Sequence, residues 1–127
     1  MCTSGLVDVT RSDPTALIRE HVRAFNAGDV EALLVGFTDD AVWVTGSTVV
    51  AGRTELTGFF ASAMSELSPT LTIHSLIASA DLVACELVET LTGNGERHAF
   101  HIAGFYRLRD GRIAAAKIYR EGSATLP

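Results

Sequence analysis

Between Thr70 and Arg120 the chain reads TLTIHSLIASADLVACELVETLTGNGERHAFHIAGFYRLRDGRIAAAKIYR, and along it apolar residues recur at every second position. Residues 70–79, 82–92, 97–109 and 112–120 read as strands, separated by Ala80-Asp81, Asn94-Gly95 and Asp110-Gly111. Asn-Gly and Asp-Gly accept the positive φ angles of a two-residue hairpin, so the last three strands form an antiparallel meander. Alternation then sorts the side chains by face. On the second strand Val83, Cys85, Leu87, Glu89 and Leu91 are the more apolar set and turn inward, carrying Glu89 with them. On the third, His98, Phe100, Ile102, Gly104, Tyr106 and Leu108 have the bulk of a core, which puts His98 and Tyr106 on the inner face. On the fourth, Ala114, Ala116 and Ile118 look inward, and Ile113, Ala115, Lys117 and Tyr119 look outward.

Upstream the period changes from two to that of a helix. Asp13-Pro14 supplies an N-cap and a first helical residue, Leu17, Ile18, His21, Val22 and Phe25 make one stripe, and Gly28 closes it. Asp29 caps a second, short helix with Val30, Leu33, Leu34 and Phe37 on one face. Residues 41–45 read as a strand, followed by a Gly/Ser/Thr loop and an extended stretch to Gly52. A third helix carries Leu56, Phe59, Phe60, Ala63, Met64 and Leu67 on one broad face and stops at Pro69. The order is helix, helix, strand, helix, then four strands: an α+β fold with helices packed against one face of a sheet.

The 127 residues suit one domain over 13–127, preceded by a loose arm over 1–12. A net charge of −5, with arginines scattered along the chain, argues against nucleic acid, which demands a basic face. No apolar run approaches the roughly 20 residues that span a bilayer, and the start shows no secretory pattern, so no membrane and a cytoplasmic location are expected. Cys2 and Cys85 form no metal or redox pair; Cys85 reads as a small core residue. His98 and His101 point to opposite faces of one strand, so no metal site is expected. Gly93-Asn94-Gly95-Glu96 is a turn with no helix after it, which leaves no place for a dinucleotide; no cofactor is expected. Alanines and aromatics on the outer sheet face predict a homodimer through that face.

Four stretches, FNAGDVEAL, FTDDAVW, GRTELTGFF and GFYRLRDGRI, resemble the SnoaL-like branch of the nuclear-transport-factor-2-like superfamily, in that family's order and across residues 13–120. The resemblance implies a cone-shaped α+β barrel, three helices on a curved, mostly antiparallel sheet, with a pocket for a small molecule. It implies less about chemistry, since one fold hosts many activities. Relative to ketosteroid isomerases, His21 falls where they carry a substrate-binding tyrosine, whereas Thr45 and Gly104 fall on their two aspartates. Relative to limonene epoxide hydrolases, the Asp–Arg–Asp set falls on Glu89, Leu87 and Ile118. Neither set is complete here.

The residue types that remain point to acid–base chemistry on a hydrophobic oxygenated molecule, such as a polyketide or terpenoid, without a cofactor. Glu89 on an apolar inner face is a candidate general base or acid, unless it sits at the rim, solvated or paired with an arginine. His21 is either a satisfied core histidine or a donor to a substrate oxygen. Tyr106 and His98 could add donors, and His98 could equally be wet at its hairpin end. Trp43, Thr45, Phe60 and Met64, with Leu87, Phe100, Ile102 and Ile118, are the expected ligand wall. The competing expectation is a non-catalytic binding or dimerisation module built on the same cavity.

Overall fold

The computed structural model describes residues 13–120; the expected arm over 1–12 and the last residues, 121–127, lie outside the described residues. Three helices, α1 (Pro14–Ala27), α2 (Val30–Val35) and α3 (Arg53–Leu67), pack on one six-stranded sheet. Its strands are β1 (Phe37–Thr45), β2 (Thr48–Ala51), β3 (Thr70–Ser79), β4 (Leu82–Gly93), β5 (Glu96–Arg109) and β6 (Arg112–Arg120), in the order β2-β1-β6-β5-β4-β3. Every neighbouring pair is antiparallel except β1 and β6. The sheet curls round the helices without closing, and β2 and β3 remain its edges.

The motif FNAGD shows how short sequences set this geometry. Phe25 enters the core, and Gly28 takes φ 68°, the left-handed conformation that ends α1. Asp29 then accepts from the Ala32 amide at 3.0 Å and starts α2. Asn26 does something else. Its amide donates to the Leu71 carbonyl at 2.9 Å and accepts from the Leu71 N–H at 2.7 Å, so it occupies the edge of β3 as a partner strand would. Leu71 pairs with Glu89 across β3 and β4, so this clip ties α1 to the strand register beside Glu89.

Two details depart from the reading of the sequence. Phe37 does not extend the stripe of α2: the helix ends at Val35, and Phe37 opens β1, fully buried, paired with Ile113 on β6. The break is fixed by Arg53, whose guanidinium donates to the carbonyls of Leu34 at 3.1 Å and Phe37 at 3.2 Å, satisfying groups that a longer helix would have used. Ile113, expected outward, is buried, because the register of β5 and β6 slips between Arg107 and Leu108 and leaves Ala114 as an extra residue. Beyond that bulge the alternation resumes as expected, with Ala116 and Ile118 buried and Lys117 and Tyr119 exposed. Both tight turns have the expected backbone: Asn94-Gly95 and Asp110-Gly111 each place two residues at positive φ.

Replacing Asn26 by Ala removes both bonds to the edge strand and leaves two backbone groups to find water. We expect Asn26→Ala to lower the unfolding free energy by about 1–3 kcal/mol, measured by urea denaturation. A loss within error would show that solvent replaces the clip at no cost.

Candidate active site

Glu89 is the one carboxylate among the described residues that is buried, with only 5% of its surface exposed. The β4 alternation brings it to the inner face between Leu87 and Leu91, as the residue pattern requires. Burying a carboxylate without a partner is costly, and the partner comes from two strands away. Arg120 at the end of β6 donates from Nη1 to Glu89 Oε1 at 2.6 Å and from Nη2 to Oε2 at 3.2 Å. Its Nε donates to the Thr45 hydroxyl at 3.0 Å. One guanidinium thus links β1, β6 and β4. It uses three of its five N–H groups among the described residues and leaves two for another acceptor. Arg120 keeps 37% of its side chain exposed against 7% for Glu89, so the pair has one dry end and one wet end.

A cavity of about 530 Å³ opens beside this pair, within the about 300–1,000 Å³ that small-molecule sites occupy. Glu89, Arg120 and Thr45 form its polar corner. Phe25, Trp43, Phe59 and Phe60 form an aromatic wall, and Ala63 and Leu67 continue it along α3. The wide apolar face of α3 is explained by this cavity. Only Leu56 and Phe60 on that face are buried, while Phe59, Ala63 and Met64 are half-buried and Leu67 is exposed. A helix whose apolar side roofs an open space keeps accessible surface that a packed helix loses.

The structure separates residues that the sequence grouped. Trp43, Thr45, Phe60 and Glu89 meet at the cavity. His21 does not. It is fully enclosed, its ring 5.8 Å from Trp43, 5.6 Å from Phe37 and 5.6 Å from Tyr106, and of these three rings Trp43 alone lines the cavity. Neither imidazole nitrogen has a hydrogen-bond partner among the described residues, and burial depresses its pKa to about 4. Tyr106 is likewise enclosed, and burial raises its phenol well above the usual value. It lies beside the Cys85 thiol, which burial pushes up to about 11 and thereby keeps from acting as a nucleophile. His98 faces solvent at its hairpin end, 3.5 Å from Glu96, and is not part of the cavity wall, although its cross-strand partner Leu91 is. Leu87, Ile102 and Ile118 are packed in the core, and Met64 and Phe100 pack against it, all outside the cavity wall. The inner half of the cone is filled, so Leu87, Ile102 and Ile118 have no open space to face, whereas Met64 and Phe100 are half-buried at its margin.

Arg120 is the member of this polar corner that sequence reasoning missed. It shares the parity of Ala116 and Ile118, so the alternation does place it inward; only its position at the end of the last strand hid the signal. Phe59, Ala63 and Leu67 were legible as an apolar stripe, but nothing in a stripe distinguishes a packed face from a roof.

The sequence matches the SnoaL-like domain over residues 18–116. The chain belongs to the SnoaL-like family. No curated protein matches it. Among solved structures, it is similar to an epoxide hydrolase of the LEH-like kind from M. tuberculosis, at 19% identity, over 85% of this chain and 82% of that one, with a TM-score of 0.79. It is also similar to SalBIII, an epoxide hydrolase/cyclase-like enzyme of pyran ring formation in polyether salinomycin, at 24% identity over 86% and 91% of the two chains, TM-score 0.76. An NTF2-like protein of unknown function from Burkholderia pseudomallei superposes with a TM-score of 0.80 at 18% identity, over 87% and 92%. At these identities the likeness establishes the fold of this SnoaL-like chain and leaves its chemistry to its own residues.

The isolated imidazole makes stability depend on pH in one direction. His21 is held neutral in the fold down to about pH 4, whereas in the unfolded chain it takes a proton near 6.5. Protons therefore favour the unfolded state as pH falls from about 6.5 towards 4, a loss of up to about 3 kcal/mol, and above that window His21 contributes no slope. Urea titrations at pH 7 and pH 5 should show this loss in the wild type and a smaller one in His21→Phe. Equal pH slopes in the two proteins would contradict it.

Proposed function

We propose that this SnoaL-like protein is a cofactor-free enzyme that performs acid–base chemistry on a neutral, hydrophobic, oxygenated small molecule, with Glu89 as proton acceptor or water activator. The observation that carries the reading is the Glu89–Arg120 pair in the polar corner of an otherwise apolar cavity. A carboxylate there can take a proton or orient water, while the uncommitted N–H groups of Arg120 can stabilise an oxygen that gains negative charge. Thr45 orients Arg120 through Nε. Because the pair is neutral as a whole and no other charged side chain among the described residues lines the cavity, an ionised ligand would find no counter-charge. Isomerisation, cyclisation, dehydration and epoxide opening of a polyketide or terpenoid all fit this arrangement, and secondary metabolism in the cytoplasm is the setting that suits them.

A second reading has its own support. Bidentate pairing occupies the carboxylate, and the imidazole and phenol that could have helped it are sealed in the core. On that reading the cavity binds a ligand without transforming it. A panel of apolar epoxides and apolar ketones separates the two, followed by diol formation and by deuterium exchange next to the carbonyl. We expect turnover by the wild type and a loss of about 100-fold or more in Glu89→Gln. The melting temperature should change little, since the amide can still accept from Arg120 and water reaches the guanidinium. Equal turnover in Glu89→Gln would remove Glu89 from the chemistry; binding without any turnover would favour the second reading.

The partner we propose is a second copy of the chain, seated on the outer face of the sheet. Across that face Ile77, Ala84, Phe105, Lys117, Val44 and Val49 form one row through all six strands. Phe105 and Tyr119 pack against each other at 5.7 Å and remain 42% and 52% exposed. An isologous contact covers such a patch on both copies at once. Light scattering should give a dimer mass at micromolar concentration and a monomer for Phe105→Glu. A monomeric wild type would rule the interface out.

A further inference from the structure

We propose that the Thr45 hydroxyl is a hydrogen-bond donor to the ligand, and that the oxygen it holds is that of a ketone or an epoxide. This rests on the reading of the cavity as a ligand site and adds which group fixes the ligand's oxygen. Thr45 is the last residue of β1, half-buried, and belongs to the cavity wall. Its hydroxyl oxygen accepts from Nε of Arg120 at 3.0 Å. A guanidinium carries only donors, so in that bond the hydroxyl can only accept, and its own proton must go elsewhere. Among the described residues Thr45 makes no other side-chain hydrogen bond, so its proton has no acceptor there. Water can take that proton while the cavity is open. A ligand that fills the cavity displaces the water, and a hydroxyl dried without a new acceptor costs binding energy.

The order of residues along the wall decides which part of the ligand meets Thr45. Trp43 and Thr45 are two residues apart on β1 and pair with Ala116 and Ile118 on β6. Arg120 lies two residues beyond Ile118 and lines the same cavity. The wall therefore runs from indole to hydroxyl to guanidinium. Phe60 packs against the indole with ring centroids 5.0 Å apart, which makes that end the place for an apolar body. A body lying there brings its oxygen towards Thr45 and the two uncommitted N–H groups of Arg120. All of these hydrogens need acceptors. A ketone or epoxide oxygen has two lone pairs and no proton of its own, so it takes one bond from each residue and leaves neither unpaired. The bond from Arg120 also polarises the hydroxyl, which makes its proton the stronger donor.

The test titrates cyclooctanone and cyclooctane, one shape with and without an acceptor. Trp43 reports occupancy by its fluorescence, since it lies in the cavity wall and is the one tryptophan of the chain. Thr45→Val should weaken cyclooctanone by about 3–10-fold and leave cyclooctane unchanged, and Thr45→Ser should restore the ketone. Equal losses for both probes, or no loss for either, would overturn the assignment while leaving the cavity a binding site. A role limited to aiming Arg120 is separated in the background Glu89→Gln/Arg120→Met, which removes the ion pair as a unit. There Thr45→Val should weaken the ketone again, and no further loss would overturn the donor role. The infrared carbonyl stretch of bound cyclooctanone guards against misfolding of that background. Thr45→Val should raise it part of the way from its wild-type value towards its value in hexane; no rise, or a complete one, counts against donation by Thr45. Failure of both probes to bind the wild type would instead remove the ligand-site reading, and this inference with it.

Discussion

A carboxylate on the concave side of a curved sheet survives only if a cation can reach it without dragging water through the core. Here the cation comes from the end of the last strand of the meander. Arg120 spans from β6 over β5 to Glu89 on β4 and holds Thr45 on β1 with its remaining edge. The bond to Thr45 matters for direction: a guanidinium is planar and rigid, so fixing Nε fixes where the other two nitrogens point. The same reach joins the parallel pair β1–β6 to the antiparallel meander at the mouth of the cone. Charge pairing, strand assembly and the polar corner of the cavity are one arrangement seen three ways.

The cone is divided by what fills it. Towards the narrow end, His21, Phe37, Trp43 and Tyr106 pack ring against ring, with centroids between 5.6 and 6.3 Å. Such contacts are dense and apolar, and an imidazole placed among them gives up its proton rather than its packing. Towards the wide end, α3 stands off the sheet and its apolar side roofs open space. Polar groups that could have worked together are thereby sorted: the neutral ones into the core, and the ion pair to the boundary where a ligand and water can both arrive.

Helix placement follows from small local devices rather than from large interfaces. Asp13 and Asp29 start their helices, Gly28 turns the chain between them, and Arg53 ends α2 by binding the carbonyls of Leu34 and Phe37. Asn26 completes the edge of β3 beside the strand that carries Glu89. These contacts hold the rim of the cone while its interior stays partly empty, a combination that packing alone would not maintain.

The sequence by itself determined the elements and the sides they show. Period-two alternation from Thr70 onward, two hairpin dipeptides and two Asp-capped helix starts are local signals, and each is read by the backbone within a few residues. That is why the inward turn of Glu89 and Tyr106 was legible, and why the misplaced face of Ile113 lies at a bulge, where pairing between strands overrides the local period. What only the tertiary structure decided is which inward residues meet. Glu89 and Arg120 are 31 positions apart and come together because β5 lies between their strands in the sheet. His21 and Glu89 both face inward and yet do not share a chamber, because three aromatic rings fill the space that a strand pattern leaves undefined. Side-chain direction is a property of the local backbone, but occupancy of a volume depends on every element around it.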